Sequence, residues 1–233
     1  MRYFLVSVLL LGLFLSCNEQ EKEVKVDLND NAAKTSYAIG LTVGKYYKDA
    51  DVEWDAKIIA KGFQDAATGA TTAIEENEVR ALMQELEKNM RQKHQQKMME
   101  LSQKNKDEGD AFLAENKTKE GVVTTESGLQ YKVLTEGNGP KPKDTDQVKV
   151  HYRGRLLDGT EFDSSYKRNQ PATFQVKGVI PGWIEALQLM PVGSKWELYI
   201  PSNLAYGPRP PRGSSITPNA TLIFEVELLE IVK

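Results

Sequence analysis

The residues of this sequence that could do chemistry are mostly aromatic or branched apolar side chains, accompanied by one carboxylate. Asp163 directly follows Phe162, and Tyr206 lies in the segment LAYGP, so polar groups stand among apolar ones. Buried carboxyl and phenol groups require hydrogen-bond partners. The set is compatible with a hydrophobic core, and also with a pocket that binds an apolar ligand. Its members are Tyr152, Phe162, Asp163, Val179, Ile180, Trp183, Tyr206, Ile216 and Phe224.

Other kinds of catalytic site find little support in this sequence. It has two histidines and one cysteine, with no glycine loop of phosphate-binding spacing and no Cys/His metal cluster, so we expect no cofactor and no metal. His94 lies in a polar helical pattern and is expected on the surface. His151 alternates with Tyr152 on a predicted strand and is expected to be structural or exposed. Ser164 and Ser165 have no second histidine near them in the motif, so a serine triad is not expected.

The segment GVIPGWIEALQLM, residues 178–190, must position the tryptophan of this set. Pro181 suits the first position of a helix, where its missing N–H costs nothing. Trp183, Leu187 and Met190 are spaced i, i+4 and i+7 and therefore share one helix face. A short helix is predicted here, with its largest apolar side chain at its start, where it could fill a core or form the floor of a pocket.

The rest of the set falls on strand ends, at the helix start and in loops. The predicted strands are segments with period-2 alternation, which is typical of half-buried strands. Asp158-Gly159 between two such segments predicts a hairpin turn. Phe174, Trp196 and Leu198 are expected to belong to the core alone. Short strands with one short helix predict a half-wrapped antiparallel sheet packed on that helix. The strand segments are LQYKVL (129–134), QVKVHYRGRL (147–156), KWELYI (195–200) and the final ATLIFEVELLEIV, in which Leu222, Phe224, Val226 and Leu228 share a face.

Several ordered motifs over residues 125–233 resemble the FKBP-type peptidyl-prolyl cis-trans isomerases. They are VHYRGRLLDGTEFDSS, VIPGW, MPVGSKWELYIPSNLAYG and PNATLIFEVELLEI. The N-terminal helices and long polar helix are similar in layout to the dimeric, V-shaped branch of that family, which includes macrophage infectivity potentiator proteins and periplasmic FKBP-type chaperones. The segment SYAIGLTVGKYY also supports that branch.

The resemblance implies a proline-binding pocket. Trp183 would lie under the proline ring, and the Ile180 N–H and the Tyr206 hydroxyl would bind substrate carbonyls. Asp163 would stand beside the twisting amide, and Arg168 matches a position whose side chain commonly pairs with it. The catalytic group implied is Asp163, Tyr206, Tyr152, Trp183 and Phe224, and the substrate-binding group is Phe162, Val179, Ile180, Ile216 and Arg168.

Two departures from the family pattern concern the rim of this pocket. An aromatic rim position of the human-type domains is occupied here by Ala172, which is expected to open that wall. The loop after Tyr206 carries PRPPRG within the Pro- and Gly-rich segment 207–218. Both bear on substrate preference and on affinity for macrolide inhibitors of the rapamycin type, more than on catalysis.

The N-terminus has the pattern of a bacterial lipoprotein signal. Arg2 precedes an apolar run through Leu15 that is too short to span a bilayer comfortably, and Cys17, the single cysteine, follows it. Phe14 stands where such signals usually have leucine. We expect Cys17 to be lipidated; a plain secretory signal is the alternative. The expected location is extracytoplasmic, on a membrane of a bacterial envelope, and the net charge of −3 argues against a nucleic-acid partner.

A helical region separates the N-terminus from the strands. AAKTSYAIGLTVGKYYKD and WDAKIIAKGFQDAATG are predicted helices, the second ending at Gly69. Thr72 to Glu75 has capping-box spacing. The apolar positions from Val79 to Met90 are expected to be buried against another helix, possibly from a second copy of the chain, and the polar stretch that follows reads as a mostly solvated rod. The predicted segments are a signal peptide (1–16), a flexible tether (17–30), an all-α dimerisation domain (31–91), a connecting helix or linker (92–123) and the isomerase domain (124–233).

The expected function is therefore isomerisation of X–Pro bonds in unfolded or partly folded extracytoplasmic proteins, by binding a twisted prolyl amide in a desolvated aromatic pocket. Chaperone activity and a homodimer are expected with it. Two alternatives stay open. One is a holdase chaperone, and the other is a module that docks proline motifs with little isomerase activity.

Overall fold

The computed structural model describes residues 26–50 and 52–232, which form parts of two compact units, residues 1–72 and 73–233. The predicted signal peptide, Cys17 and most of the tether lie outside the described residues. Within the described part of the chain, no helix is both long enough and apolar enough to cross a membrane.

The first unit contains two helices, α1 (Asn31–Asp49) and α2 (Ala56–Thr68). The Asp30 side chain caps α1 by accepting a hydrogen bond from the Ala33 N–H, and Asp55 caps α2 in the same way. Gly69 ends α2 in the left-handed conformation, at φ 68°, as predicted from its position.

Neither helix of the first unit buries an apolar side chain. Helix α1 has no buried residue, and Asp65 is the buried residue of α2. Several large apolar side chains are at least half exposed, including Leu41, Tyr46, Ile58 and Phe63. Such a face is not stable in water unless something covers it.

The second unit begins with a helix of 41 residues, α3 (Glu76–Asn116). Its N-cap is Glu75, which makes no side-chain cap, so the capping box predicted at Thr72 is wrong. The predicted boundary between residues 91 and 92 falls inside this one helix. Val79, Leu82 and Met83 are exposed, so the helix predicted to bury them is not supplied by the described residues.

A seven-stranded antiparallel sheet follows, in the order β1-β2-β6-β7-β3-β4, with β5 also paired to β3. One helix, α4 (Pro181–Leu189), lies between β5 and β6 in the chain. The strands are β1 (Val122–Thr124), β2 (Gln130–Thr135), β3 (Gln147–Arg155), β4 (Glu161–Ser164), β5 (Ala172–Gln175), β6 (Lys195–Ile200) and β7 (Leu222–Val232). The predicted antiparallel sheet with one short helix is confirmed.

The core of this unit lies between the sheet and α4. Four alternating residues of β7, from Leu222 to Leu228, are at most 5% exposed, as the period-2 pattern predicted. Leu187 and Met190 are buried, so the predicted helix face is confirmed as well. At Gly182 a Cβ would lie 2.6 Å from Ile200, which shows how closely α4 approaches the sheet.

The last turns of α3 lie beyond the polar stretch from Gln92 to Lys106, for which a mostly solvated rod is predicted, and they pack on the sheet. The Phe112 ring lies 5.9 Å from the Tyr199 ring on β6. Asn116 is 2% exposed and donates to Gln130 Oε1 at 3.0 Å. The Gln130 amide in turn donates to the Leu113 carbonyl. The C-terminal third of the helix therefore packs on the sheet through side chains that are largely polar.

Candidate functional site

A pocket opens where three adjacent strands meet the start of α4. Tyr152 projects from β3, Phe162 and Asp163 from β4, and Phe224 from β7. In the sheet register, Gly154 lies opposite both Asp163 and Phe224. A Cβ on Gly154 would lie 2.6 Å from the Phe162 ring and 2.7 Å from the Phe224 ring. Glycine is thus required here because two aromatic rings occupy the space over the strand.

Trp183 forms the aromatic centre of the pocket. Its ring centroid lies 5.4 Å from that of Tyr152, 5.8 Å from Phe174 and 5.2 Å from Phe224. All three contacts are nearly perpendicular, the edge-to-face geometry that aromatic quadrupoles favour. Trp183 is 4% exposed and stands at the third position of α4, directly behind Pro181 and Gly182. The turn made by these two residues brings Val179 and Ile180 next to the indole.

The pocket has a volume of about 600 Å³. All nine residues of the set named from the sequence line it, and Arg168 bonds two of them, Asp163 and Tyr152. Four further residues line it that the sequence reasoning did not include: Phe174, Gly178, Pro211 and Ser214. A volume of this size suits a small ligand or a few residues of a peptide.

Three polar groups at one wall form a closed triangle of hydrogen bonds. The Tyr152 hydroxyl donates to Asp163 Oδ2 at 2.6 Å. Arg168 donates from Nη1 to Asp163 Oδ1 at 2.5 Å, and from Nη2 to the Tyr152 hydroxyl at 2.8 Å. Bonds that involve ionised groups are the stronger ones, so this triangle fixes the carboxylate in one orientation.

The environment of the triangle shifts the pKa values of its members. Burial by itself raises the pKa of the Asp163 carboxyl, but hydrogen bonds from Tyr152 and Arg168, together with the Arg168 charge, outweigh it, and the pKa lies below its usual value. Burial, then the hydrogen bond to Asp163, raises the pKa of the Tyr152 hydroxyl. Asp163 is therefore ionised and Tyr152 neutral near pH 7.

Two donors in the pocket are left for a ligand. Neither the Ile180 N–H nor the Tyr206 hydroxyl has a hydrogen-bond acceptor within the described residues. Burial, with a smaller contribution from the Asp163 charge, raises the pKa of Tyr206, so its hydroxyl keeps its proton. The buried Trp183 Nε1–H has no acceptor among the described residues either. An apolar cavity with unsatisfied donors suits a ligand that is apolar and carries carbonyl oxygens.

Phe174 corrects an expectation from the sequence. It was predicted to belong to the core alone, but it is partly buried and lines the pocket beside Trp183. Its alternation on β5 gives no sign of this, because a pocket wall and a core face have the same period. Trp196 and Leu198 are buried as expected. Ala172 pairs with Val150 and packs on the core, and it is not among the residues that line the pocket.

The two histidines lie away from the pocket lining. His94 is exposed on α3. His151 stacks on Tyr166 at 4.8 Å, and its Nδ1 lies 3.0 Å from the Ser165 hydroxyl. Ser165 is fully buried and also bonds the Tyr152 backbone, so its oxygen is not available as a nucleophile. No group of three or more potential metal ligands occurs among the residues described.

Comparison with known proteins relates both parts of the chain to one family. Residues 139–229 match the model described as FKBP-type peptidyl-prolyl cis-trans isomerase, and residues 32–133 match the domain amino terminal to it. The chain is 42% identical over 233 residues to the outer membrane protein MIP of Legionella longbeachae, covering 100% of the chain and 99% of that protein. It is 48% identical over 201 residues to the FKBP-type 22 kDa peptidyl-prolyl cis-trans isomerase of Escherichia coli strain K12, covering 86% and 95%.

Solved structures agree with these relatives. The crystal structure of FkpA from Escherichia coli matches with a TM-score of 0.68 at 35% identity, covering 88% of this chain and 98% of that chain. A peptidyl-prolyl cis-trans isomerase from Pseudomonas syringae matches with a TM-score of 0.53 at 41% identity, over 57% of this chain.

Proposed function

The chain belongs to the family of FKBP-type peptidyl-prolyl cis-trans isomerases, and we propose that its X–Pro substrates bind in the pocket around Trp183. The observation that carries this assignment is the aromatic cavity of about 600 Å³ in which the Ile180 N–H and the Tyr206 hydroxyl have no acceptor and no histidine is among the lining residues. Such a site suits prolyl isomerisation, which makes and breaks no bond and therefore needs no nucleophile activated by a base.

The mechanism follows from the electronic structure of the amide. The resonance barrier is about 20 kcal/mol, so uncatalysed isomerisation takes tens of seconds or more. When the amide twists, conjugation is lost and the carbonyl dipole falls. A desolvated pocket therefore penalises the twisted state less than the planar one. A barrier lowered by about 5–8 kcal/mol corresponds to roughly 10⁴- to 10⁶-fold acceleration.

We assign the individual residues from their positions in the pocket. Trp183 supports the proline ring, with Val179 and Ile180 beside it. The Ile180 N–H and the Tyr206 hydroxyl donate to substrate carbonyls. Asp163 stands beside the twisting amide in a fixed orientation, since Arg168 and Tyr152 hold both of its oxygens. The Ile180 N–H and the Tyr206 hydroxyl are in the pocket before substrate binds, and preorganised donors cost no reorganisation during the reaction. Phe162, Ile216 and Phe224 complete the apolar walls, and Phe174 is added to this group.

The direct test is the isomerisation rate of a short X–Pro peptide. The wild-type chain should accelerate it, and Tyr206→Phe should lower kcat/KM about tenfold, since loss of one hydrogen bond to the substrate corresponds to about 1.4 kcal/mol. Tyr131→Phe is the matched control, because Tyr131 stacks on Trp196 outside the pocket. A folded wild-type chain that gives no acceleration would leave the holdase and the proline-docking alternatives.

The first unit supports a second proposal, which concerns assembly and chaperone activity. We propose that α1 and α2 form the interface of a homodimer, because their apolar face has no cover in the single chain. A concave site of about 390 Å³ lies on it, lined by Val43, Tyr47, Val52, Trp54, Ile59 and Phe63. The dimer would also carry the proposed chaperone activity. Suppression of client aggregation that needs residues 31–105 but survives Tyr206→Phe would establish a holdase function separate from isomerisation.

The location and boundaries are proposals as well. We place the protein in the bacterial envelope outside the cytoplasm, held by lipidated Cys17 and a tether to residue 30; one relative is named an outer membrane protein. Labelling with a radioactive fatty acid, compared with Cys17→Ser, tests the anchor. Residues 31–91, 92–123 and 124–233 are kept as dimerisation, connecting and isomerase segments.

A macrolide of the rapamycin type should compete with the peptide for the pocket, with an affinity sensitive to Ala172→Phe.

A further inference from the structure

One wall of the pocket is carried by a loop that α3 holds from the side. We define the rim loop as residues 207–219. It supplies Pro211, Ser214 and Ile216 to the pocket lining, and it begins directly after Tyr206. The loop is closed at its base, where the Asn219 N–H donates to the Gly207 carbonyl at 2.8 Å. Asn219 has a φ of 55°, a conformation that asparagine tolerates better than most residues.

Two residues of α3 bond the end of this loop. Asn105 donates from Nδ2 to Thr217 Oγ1 and to the Pro218 carbonyl, each at 2.7 Å. The Asn219 side chain donates to Ser102 Oγ at 2.8 Å. These three bonds join positions more than a hundred residues apart in the chain, and the groups are partly buried.

Close packing of α3 supports the same contact. Ser102, Asn105 and Gly109 are spaced i, i+3 and i+7, so they share one face of the helix. At Gly109 a Cβ would lie 2.3 Å from Thr221 Oγ1, just beyond the loop. The helix therefore approaches the end of the rim loop as closely as its backbone allows, and the bonds of Asn105 and Ser102 are made at short range.

We propose that Asn105 and Ser102 are positioning residues of the isomerase: they hold the rim loop so that Ile216, Ser214 and Pro211 stand at the correct distance from the bound proline. This inference rests on the proposed function of the pocket. A loop of this length without secondary structure of its own samples many conformations, and each must be excluded before substrate binds. Bonds to a helix already packed on the sheet remove these conformations before binding.

The effect should be on substrate affinity more than on turnover. Trp183 and the polar triangle stand on α4, β3, β4 and, for Arg168, the connection from β4 to β5. None of these segments takes part in the three bonds between α3 and the loop. The rim loop instead contacts the peptide around the proline. Loosening it should therefore raise KM for an X–Pro peptide about three- to tenfold and change kcat by less than about twofold.

The experiment uses the full chain and four variants. Asn105→Ala removes two bonds and Ser102→Ala removes one, whereas Ser102→Thr keeps the accepting oxygen and should restore wild-type behaviour. Gln103→Ala is the matched control, because Gln103 is exposed and bonds Asp107 within the same helix. KM and kcat are measured with an X–Pro peptide, and hydrogen exchange is followed at the Asn219 amide.

The expected result is a raised KM and faster exchange at Asn219 in the two alanine variants of Asn105 and Ser102, with Ser102→Thr and Gln103→Ala like the wild type. An unchanged KM in Asn105→Ala overturns the positioning role, even if the melting temperature falls, because a merely structural contact would move stability alone. A wild-type chain that does not accelerate the peptide overturns the proposed function instead, so the two failures are separate.

Discussion

The two units treat their apolar side chains in opposite ways. In β7, Leu222, Val226 and Leu228 are fully buried within the chain, whereas in α1 and α2 Leu41 is 58% exposed and Phe63 is 66% exposed. The sheet covers its apolar face with α4, so the pocket stands on a core that is complete within one chain. The helices of the first unit have no such cover. The described residues thus complete the packing beneath the pocket but not over the apolar face of α1 and α2.

The largest expected effect comes from charging the apolar face of α2. Ile58→Glu with Phe63→Glu should abolish the proposed dimer, because two carboxylates cannot be buried unpaired. Helices of 19 and 13 residues are marginal alone, so their helical signal should fall too. Peptide isomerase activity should stay within about twofold of the wild type. Light scattering, circular dichroism and the peptide assay measure the three outcomes.

The matched control for this prediction is Ala60→Glu with Gln64→Glu, two exposed positions on the other side of α2. It adds the same charge and should keep the dimer. If light scattering gives the double variant at Ile58 and Phe63 the same mass as the wild type, the apolar face is not the interface.

A smaller effect is expected from truncating one leucine in each unit. Leu198 is 1% exposed. Leu198→Ala should lower the free energy of unfolding of the second unit by about 2–5 kcal/mol, and this loss should not depend on protein concentration. Leu41→Ala removes a side chain that only a partner copy would cover, so its effect should depend on concentration. Denaturant unfolding at two protein concentrations separates them, and a concentration-independent loss for Leu41→Ala would contradict the comparison.

The next effect is on catalysis alone. Asp163→Asn keeps the shape of the side chain but removes the charge that Arg168 and Tyr152 surround. We expect kcat/KM to fall about tenfold, or about 1.4 kcal/mol, with the fold and the dimer unchanged. The peptide assay measures this, and Asp158→Asn on the exposed hairpin turn is the control. Equal activity of Asp163→Asn and wild type would remove the carboxylate from the proposed mechanism.

The same pocket sets the dependence of activity on pH. The pKa of Asp163 lies below its usual value, and those of Tyr152 and Tyr206 lie above theirs, for the causes given above. The stabilising contribution of Asp163 is then complete above the pKa of an unfolded aspartate and is lost as pH falls through its lower folded value. Between about pH 5 and 9 none of the three groups changes charge, so kcat/KM should be flat. A sigmoid step in this range would show that another group titrates in the site.

The strands and α4 were predictable because their residues repeat along one element. Alternation at Leu222 to Leu228, Pro181 at the helix start and the Asp158-Gly159 turn are local signals, and all three features occur in the structure. The association of Asp163 with aromatic residues could also be predicted, because each motif contains some members of the set. How these residues meet around one cavity depends on strand order, which periodicity does not contain.

The contact of α3 with the rim loop was not predictable in the same way. Its face from Ser102 to Gly109 consists of serine, asparagine and glycine, so a hydropathy pattern reads it as solvated. The partners that bury it, Thr217 and Asn219, lie more than a hundred residues away. Polar contacts between distant segments produce no periodic hydropathy pattern in either segment. The role of Phe174 was hidden for a related reason, because core and pocket residues alternate alike.

The smallest expected effect compares one glycine from each unit. Gly62 in α2 has nothing within 4 Å of a Cβ, so Gly62→Ala should stabilise that helix by about 0.5–1 kcal/mol through its higher helix propensity. Gly109→Ala gains the same propensity, but its Cβ would meet Thr221, which is 4% exposed, and overpacking costs about 1–3 kcal/mol. The net change should therefore have opposite sign at the two positions, measured by thermal unfolding. If Gly62→Ala instead weakens the dimer, a partner copy approaches α2 there as closely as the sheet approaches Gly109.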